Sequence, residues 1–225
     1  MSFTVVHTEQ GTDEWDANRR CRLTGSRIAD VCAKPDSKRY KTYMQQTVLE
    51  LLGHTHVEDK PEWFRHGREM EPRGLAVYEQ KYGVTLDHDC FLVHDEYDWF
   101  GLSPDGLHIV DGEYTEGMEM KGRKLYKNYR DAILKAKAAH AKGDLLKAIA
   151  PEYRHQVQAA MWMTGWDHWW YVNYYEVRNT HGYPTGDYRI GRVAIPRDQK
   201  LIDEIEEKAV VFMTECYKRA EIDHA

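Results

Sequence analysis

Two carboxylates and a lysine lie near the middle of the sequence, at a spacing that could support hydrolysis of a phosphodiester. Asp105 sits in a predicted turn, whereas Glu119 and Lys121 lie two residues apart on a predicted strand. Alternate residues of a strand point the same way, so Glu119 and Lys121 share a face, and strand pairing would bring Asp105 beside them. Carboxylates at short range repel each other, and a bound Mg²⁺ relieves that repulsion, with the Met120 carbonyl as a further oxygen ligand. A lysine beside such a metal can orient or deprotonate a bound water.

The charge distribution fits such a site, although a structural explanation accounts for the same pattern. The net charge is −6, but residues 69–119 carry 13 acidic and 2 basic residues, and residues 120–160 carry 3 acidic and 10 basic residues. An acidic block beside a basic block suits a site that binds a divalent cation and grips phosphate around it. Two solvated faces of opposite sign, a turn aspartate that caps a hairpin and an exposed Glu–Lys pair would give this pattern as well.

The elements that would position these residues mix helices and short strands. Helical periodicity and stop signals predict helices over 13–20, 24–31, 40–53, 61–83, 126–149, 151–165 and 197–220, with a kink or a break at Pro72. Aromatic and β-branched runs predict strands at 91–95, 97–102, 107–110, 114–122, 168–177 and 188–195. Asp111-Gly112 predicts a tight hairpin. The order predicts a mixed α/β fold with a β-meander between helices.

Length and composition indicate one globular domain. The chain has 225 residues, of which 42% are hydrophobic and 30% charged, with no internal repeat and no Gly/Ser linker, so we expect a single domain over residues 1–225. No apolar run approaches the roughly 18 residues of a transmembrane helix. We therefore expect no membrane partner, and we expect no secretory signal. The four cysteines lack metal-binding spacing and are expected to be reduced thiols of a cytosolic protein.

Four sequence blocks, in a fixed order, resemble one family of nucleases. They are Trp15-x3-Arg19-x4-Thr24-Gly25-Ser26, Gly67-x3-Glu71, Ser103-Pro104-Asp105-Gly106 with Glu119-x-Lys121, and Tyr153-x2-Gln156-Val157-Gln158-x2-Met161-Trp162. The set resembles the phage lambda exonuclease family, also called YqaJ-type viral recombinases or alkaline exonucleases, within the PD-(D/E)-x-K nucleases. The resemblance implies an α/β (α+β) restriction-endonuclease-like core, in which helices flank a central mixed β-sheet.

The resemblance implies a catalytic role for each acidic residue of these blocks. Asp105 and Glu119, with the Met120 carbonyl, would bind Mg²⁺, for which Mn²⁺ can substitute, and the site would hold two ions. Glu71 would support these ligands or bind the second ion. Lys121 would activate the attacking water. From the residues alone, Glu71 has a weaker case, because a surface glutamate would explain it equally well.

Side chains of the outer blocks would complete the site. Gln156 would position the water or the metal, and Tyr153, three residues before it on the same helix face, would line the site or pack in the core. Arg19 and Ser26 would bind the 5′-terminal phosphate of a DNA end, with the hydroxyl of Ser103 in the same pocket. An arginine suits this task because its fork matches two phosphate oxygens, although a solvated helix arginine is the alternative.

Other DNA contacts follow less directly from the resemblance. Trp15 would pack near the DNA end or in the core. Where the resemblance implies an arginine that enters the duplex, this chain has Asp36, and Lys38 and Arg39 follow closely enough to replace it. Lys124 opens a run of basic residues just past the E-x-K strand and would contact phosphate.

These features predict a Mg²⁺-dependent 5′→3′ exonuclease that digests the 5′-phosphorylated strand of double-stranded DNA to mononucleotides and leaves a 3′ overhang. The resemblance alone implies the polarity, a ring-shaped homotrimer, a phage or prophage origin in the cytoplasm of a bacterial host, and a single-strand annealing protein as partner in recombination. A PD-(D/E)-x-K endonuclease would use the same metal site without an end-phosphate pocket. A non-catalytic DNA-end-binding protein would bind ends without releasing nucleotides.

Overall fold

The structure, a computed structural model, describes residues 3–54 and 62–222, except for the side chains of residues 62–68. The α-helices of this part are α1 (Asp13–Arg19), α2 (Ile28–Val31), α3 (Lys38–Leu51), α4 (Glu62–Tyr82), α5 (Tyr126–Ala141), α6 (Pro151–Thr164) and α7 (Gln199–Arg219). Its strands are β1 (Phe3–His7), β2 (Leu23–Thr24), β3 (Thr85–Asp87), β4 (Cys90–His94), β5 (Phe100–Leu102), β6 (Gly106–Val110), β7 (Glu113–Gly122), β8 (His168–Arg178) and β9 (Pro184–Pro196). No helix in these ranges is both long enough and apolar enough to cross a bilayer.

Local signals in the sequence set the ends of most elements. The Thr12 side chain caps α1 by accepting a hydrogen bond from the Trp15 N–H (3.2 Å), as the cap prediction requires. Ser37 caps α3, which therefore begins two residues before the predicted start. Asp111 and Gly112 both have positive φ (52° and 84°), so the predicted tight hairpin between β6 and β7 is confirmed.

α4 is continuous through Pro72, so a helix break at this proline is wrong. One face of the helix is buried against the sheet that contains β7, where Met70, Leu75 and Tyr78 pack against Met118. Burial of that face offsets the hydrogen bond that a proline removes from a helix interior. The predicted first residue of this helix, Pro61, lies outside the described residues.

The strands form two sheets, whereas the sequence predicted one meander. A five-stranded sheet has the order β3-β6-β7-β8-β9, in which β7 and β8 are parallel and the other neighbours antiparallel. A four-stranded sheet has the order β1-β4-β5-β2. The chain leaves the smaller sheet after β5 and enters the larger one at Gly106. Pro104, between them, lacks the N–H that would continue a ladder. The mixed α/β fold class is confirmed.

Helices cover both faces of the larger sheet. α4 packs on the face that carries Met118 and Met120. The opposite face of β7 carries Gly117 and Glu119, and the buried residues of α6 pack with Trp169 and Tyr171 of β8 on that side. A Cβ on Gly117 would lie 2.0 Å from the Trp169 ring, so only glycine leaves space for this indole. This face holds the polar residues described next.

Candidate active site

Asp105 meets strand β7 where β6 begins. β6 and β7 pair from Gly106 and Met118 onward, so Asp105, one residue before β6, lies beside the next residues of β7. Its Oδ2 accepts a hydrogen bond from the Met120 N–H at 2.6 Å. The structure therefore brings Asp105 to the strand that carries Glu119 and Lys121, as strand pairing predicted. The turn aspartate holds the neighbouring strand, which a simple hairpin cap would not do.

Glu119 is the centre of a hydrogen-bonded group of side chains. It is only 4% exposed, and its two oxygens have different partners. Lys121 donates to Oε1, and Gln156 Nε2 on α6 donates to Oε2 at 2.7 Å. Lys121 Nζ also lies 4.8 Å from the ring centroid of Tyr153, so both predicted α6 residues reach the E-x-K strand.

Tyr153 joins this group to the sheet beneath it. Its ring centroid lies 5.7 Å from that of Tyr171 on β8, and Tyr171 is the register partner of Glu119. The ring thus packs in the core and lines the polar group as well, so both interpretations of Tyr153 apply.

Negative charge is in excess at this site. Burial raises the pKa of Asp105 well above its ordinary value, and the charges of Glu119 and Glu71 raise it further, against smaller opposing effects of Lys121 and the Met120 N–H. Burial alone would lower the pKa of Lys121, but Glu119 and Asp105 outweigh it and raise that pKa. Glu71 on α4 therefore acts on the same site. The carboxylates of Asp105, Glu119 and Glu71 thus act on one another, a repulsion that a cation would relieve.

The oxygens that converge here fit a hard divalent cation. A strand residue directs its N–H and its carbonyl to the same side. Because the Met120 N–H points to Asp105, the Met120 carbonyl lies on that edge too. Arg123 N–H instead donates to the Tyr174 carbonyl at 2.7 Å, as the alternation along β7 requires. Within residues 3–54 and 69–222, no three Asp, Glu, His or Cys side chains are arranged to hold a metal, so the backbone carbonyl would be needed to complete an oxygen set.

A small cavity adjoins Glu119. It has a volume of about 30 Å³, and its lining includes Arg19, Ser26, Ser103, Glu119 and Gln156. Residues of three sequence blocks therefore meet in one place, although they lie far apart along the chain.

Trp15 contacts two residues that line this cavity. Its buried indole Nε1 donates to Ser103 Oγ at 3.2 Å. The Arg19 guanidinium lies over the same indole, 4.2 Å from the ring centroid. The Thr12 cap fixes the start of α1. Trp15 and Arg19, four residues apart on this helix, therefore lie one turn apart on the same face. Trp15 is thus a core residue that positions its two polar neighbours.

The comparisons with known proteins identify the family of the chain. The family model of the YqaJ-like viral recombinase domain matches residues 14–167, which include the E-x-K strand and all the residues of the cavity lining except Trp169. The chain belongs to the YqaJ-like viral recombinase family. The resemblance found in the sequence is confirmed. No curated protein matches the chain significantly.

Solved structures of exonucleases share the fold of this YqaJ-like chain. The alkaline exonuclease LHK-Exo from Laribacter hongkongensis is 27% identical with a TM-score of 0.69, over 93% of this chain and 95% of that one. A phage-related exonuclease from Haemophilus somnus 129PT is 17% identical with a TM-score of 0.59, over 88% and 94%. The shutoff and exonuclease protein of Kaposi's sarcoma-associated herpesvirus is 11% identical with a TM-score of 0.55, over 96% and 72%. The last two likenesses concern the fold alone, which is restriction-endonuclease-like.

Besides Trp15, three predicted DNA contacts of this YqaJ-like chain are not part of the cavity lining. Lys38 is exposed at the start of α3. Arg39 donates from Nε to Asp30 Oδ1 at 2.7 Å, so part of its charge is compensated within the protein. Lys124 is exposed just past the end of β7, on the side of the site where the strand leaves the sheet. Asp36 is exposed in the turn before α3, and a role for Lys38 or Arg39 in place of the implied arginine stays a prediction.

Arg123 is a polar residue just past β7 that sequence analysis did not single out. It follows Lys121 at the two-residue interval that separates Lys121 from Glu119, and its N–H continues the hydrogen bonding to β8. Its Nε and Nη2 donate to Asn173 Oδ1 at 2.8 and 2.6 Å. The alternation of charged residues at 119, 121 and 123 was the available signal, but the run of basic residues that follows concealed it.

Proposed function

We propose that the chain is a divalent-metal-dependent DNA exonuclease that degrades the 5′-phosphorylated strand of duplex DNA from its end, releases mononucleotides and leaves a 3′ overhang. The observation that carries the proposal is the cavity, because it joins the end-phosphate candidates Arg19 and Ser26 to Glu119. Family membership and the likeness to an alkaline exonuclease support the nuclease activity. LHK-Exo has also been solved in complex with dAMP, which belongs to the chemical class of the proposed product.

The size of the cavity favours an exonuclease over an endonuclease. A volume of about 30 Å³ accepts a water or a small oxyanion group, but it does not accept a nucleoside. A strand that ends in a phosphate can place that group beside Arg19, and we expect the cavity to favour such an end over a continuous strand.

The roles of the charged residues follow from their contacts. Asp105, Glu119 and the Met120 carbonyl would hold Mg²⁺, and we keep two ions as the prediction, with Glu71 near the second. When bound, the metal would lower the pKa of a water and stabilise charge on the scissile phosphate.

Lys121 and Gln156 would act through Glu119. Each donates to a different oxygen of this carboxylate, which fixes its orientation. Lys121 would also hydrogen-bond the attacking water, because its ammonium group pairs with Glu119. Tyr153 would keep the lysine in that position, because its ring lies against the ammonium group.

The test uses linear duplexes labelled at the 5′ or the 3′ end, with either a 5′-phosphate or a 5′-hydroxyl. We expect immediate release of the 5′ label as a mononucleotide, faster from the 5′-phosphate, abolished by EDTA and restored by excess Mg²⁺. Internal fragments or release of the 3′ label first would refute the polarity. A supercoiled plasmid has no ends and should remain intact, whereas an endonuclease would nick it.

A matched pair of variants separates the site from the fold. Asp105→Asn should abolish nucleotide release while DNA ends are still bound. Asp111→Asn removes an exposed carboxylate from the hairpin turn of the same sheet and should leave the activity unchanged. If the two variants are equally active, Asp105 has no role in the reaction. If Lys121→Ala is as active as the wild type, Lys121 has no role in the reaction.

The assembly and the partner remain predictions of the same proposal. We expect three copies in a ring that surrounds the DNA, and light scattering on the purified protein would measure the mass. We expect a phage single-strand annealing protein as the partner that receives the 3′ overhang, in the cytoplasm of a bacterial host. A monomeric mass would refute the ring without affecting the site.

A further inference from the structure

The positive charge of Arg123 has only neutral partners. Besides the two hydrogen bonds to Asn173, Nη2 donates to the Tyr171 hydroxyl at 3.1 Å. Within residues 3–54 and 69–222, none of its hydrogen bonds or ion pairs involves a carboxylate. By contrast, Arg130 is paired with Asp131 at 3.2 Å. The guanidinium of Arg123 is therefore held in place without being neutralised.

The partners of Arg123 are themselves fixed. Asn173 is 3% exposed and Tyr171 is 2% exposed, and both lie on β8, where they are the register partners of Lys121 and Glu119. An arginine held by rigid neutral groups loses little further entropy when it binds a ligand. Nε and Nη2 are occupied, but Nη1 has no hydrogen-bond acceptor in the described part of the chain, so its N–H groups remain available. A phosphate oxygen is the kind of charged acceptor that such a donor binds strongly.

The position of Arg123 selects one phosphate of the DNA strand. Alternate residues of a strand advance about 6.6 Å. Arg123 is one residue past β7 but still donates its N–H to Tyr174 of β8, so it lies about one such step past Lys121. The end-phosphate cavity lies on the opposite side, where its lining includes Glu119 and Trp169 but not Lys121. Along β7 the order is therefore cavity, carboxylate, lysine and arginine.

We propose that Arg123 binds the phosphate immediately 3′ to the scissile phosphate on the digested strand, and that Asn173 and Tyr171 orient it for this contact. This inference rests on the proposed function, which places the 5′-terminal phosphate in the cavity and the scissile phosphate at Glu119. The next phosphate then lies on the side of Lys121 that faces Arg123. The contact would keep the shortened strand in register after each nucleotide is released.

The test combines a protein variant with a neutral phosphate analogue. The first nucleotide is released in a single turnover from duplexes that carry one methylphosphonate, at either the second or the fourth internucleotide linkage of the digested strand. Loss of a charge-assisted contact to an exposed phosphate should slow the wild type roughly tenfold when the second linkage is neutral, which corresponds to about 1.4 kcal/mol. Arg123→Gln should be roughly tenfold slower on the unmodified duplex and should lose nothing more with the neutral second linkage.

Two further variants exclude a purely structural role. Arg130→Gln removes an exposed arginine of the same basic block, already paired with a carboxylate, and should keep the wild-type response to the neutral second linkage. Asn173→Asp leaves Arg123 in place but gives it a carboxylate partner, so it should reproduce the insensitivity of Arg123→Gln. This variant carries the test if Arg123→Gln does not fold.

The outcomes are distinct. If the losses from Arg123→Gln and from the neutral second linkage multiply, the contact does not exist. If Asn173→Asp responds to the neutral second linkage as the wild type does, the charge of Arg123 plays no part. If the wild type releases no nucleotide from any duplex, the proposed function fails, whereas an active wild type with an unaffected Arg123→Gln variant refutes this inference alone.

Discussion

Arg19→Gln should remove most of the preference for a 5′-phosphate over a 5′-hydroxyl. Arg19 lines the cavity beside Glu119, and its guanidinium lies over the Trp15 ring, so we expect it to contact a terminal phosphate bound there. Glutamine keeps a similar length and a donor, but it lacks the charge and the two parallel N–H groups. A 5′-hydroxyl substrate never makes this contact, so the substitution should leave its reaction almost unchanged.

The size of the effect follows from the exposure of the site. Hydrogen bonds to charged groups contribute about 1.5–3 kcal/mol each. Arg19 is half-buried, so solvent screens part of the interaction and the lower end applies. A loss of about 1.5 kcal/mol reduces the preference roughly tenfold. Arg19→Lys should fall between the wild type and Arg19→Gln, because lysine keeps the charge but offers no fork.

The assay measures kcat/KM on two duplexes that differ only in the 5′ group. The ratio of the two values isolates the terminal phosphate, since losses that affect both substrates cancel. Arg20→Gln is the matched control: this neighbour is exposed and not in the cavity lining, so its ratio should equal that of the wild type. An undiminished ratio for Arg19→Gln would mean that the cavity does not bind the terminal phosphate.

Three further changes have defined outcomes. Trp15→Phe keeps a ring but removes the donor to Ser103, so the free energy of unfolding should fall by about 1 kcal/mol in urea titrations, with a weaker 5′-phosphate preference; an unchanged preference would separate the indole from the pocket. Gly117→Ala places a Cβ into the Trp169 ring and should lower the free energy of unfolding by about 1–3 kcal/mol, and an unchanged melting temperature would contradict this. Burial lowers the pKa of His94, whose Nδ1 accepts hydrogen bonds from two backbone N–H groups. As the pH decreases through 6.5, the unfolded chain therefore binds the proton before the folded chain does, and the free energy of unfolding should fall. Urea titrations at pH 7.5 and 5.5 measure this, and His94→Gln should reduce the difference.

The parts of the fold that local interactions determine could be predicted from the sequence. Asp111-Gly112 forms its hairpin because both residues tolerate positive φ, and α6 ends at Gly165 (φ 74°) for the same reason. The two-residue alternation puts Glu119 and Lys121 on one face because a strand has no other geometry. These features depend on neighbours within a few residues.

The pairings between distant segments could not be predicted in this way. Trp15 holds Ser103, which lies 88 residues along the chain, and the second sheet exists because β1 pairs with β4 and β2 with β5. Pro72 is tolerated because the face of α4 is buried on the sheet, which a local propensity does not describe. The resemblance to a family supplied the roles of the site residues, but it supplied none of these pairings.

The register between β7 and β8 explains why sequence analysis did not identify Arg123 and why this arginine is held in one position. The crossover through α5 and α6 places Asn173 opposite Lys121, and only this register gives Arg123 a neutral acceptor. A shift by one residue would turn Asn173 to the α4 face and would leave the guanidinium without its support. The extended backbone fixes the spacing between Glu119, Lys121 and Arg123, and the pairing with β8 fixes the guanidinium of Arg123. An exonuclease that advances by one nucleotide after each cleavage needs such a fixed spacing between the site of cleavage and the next phosphate.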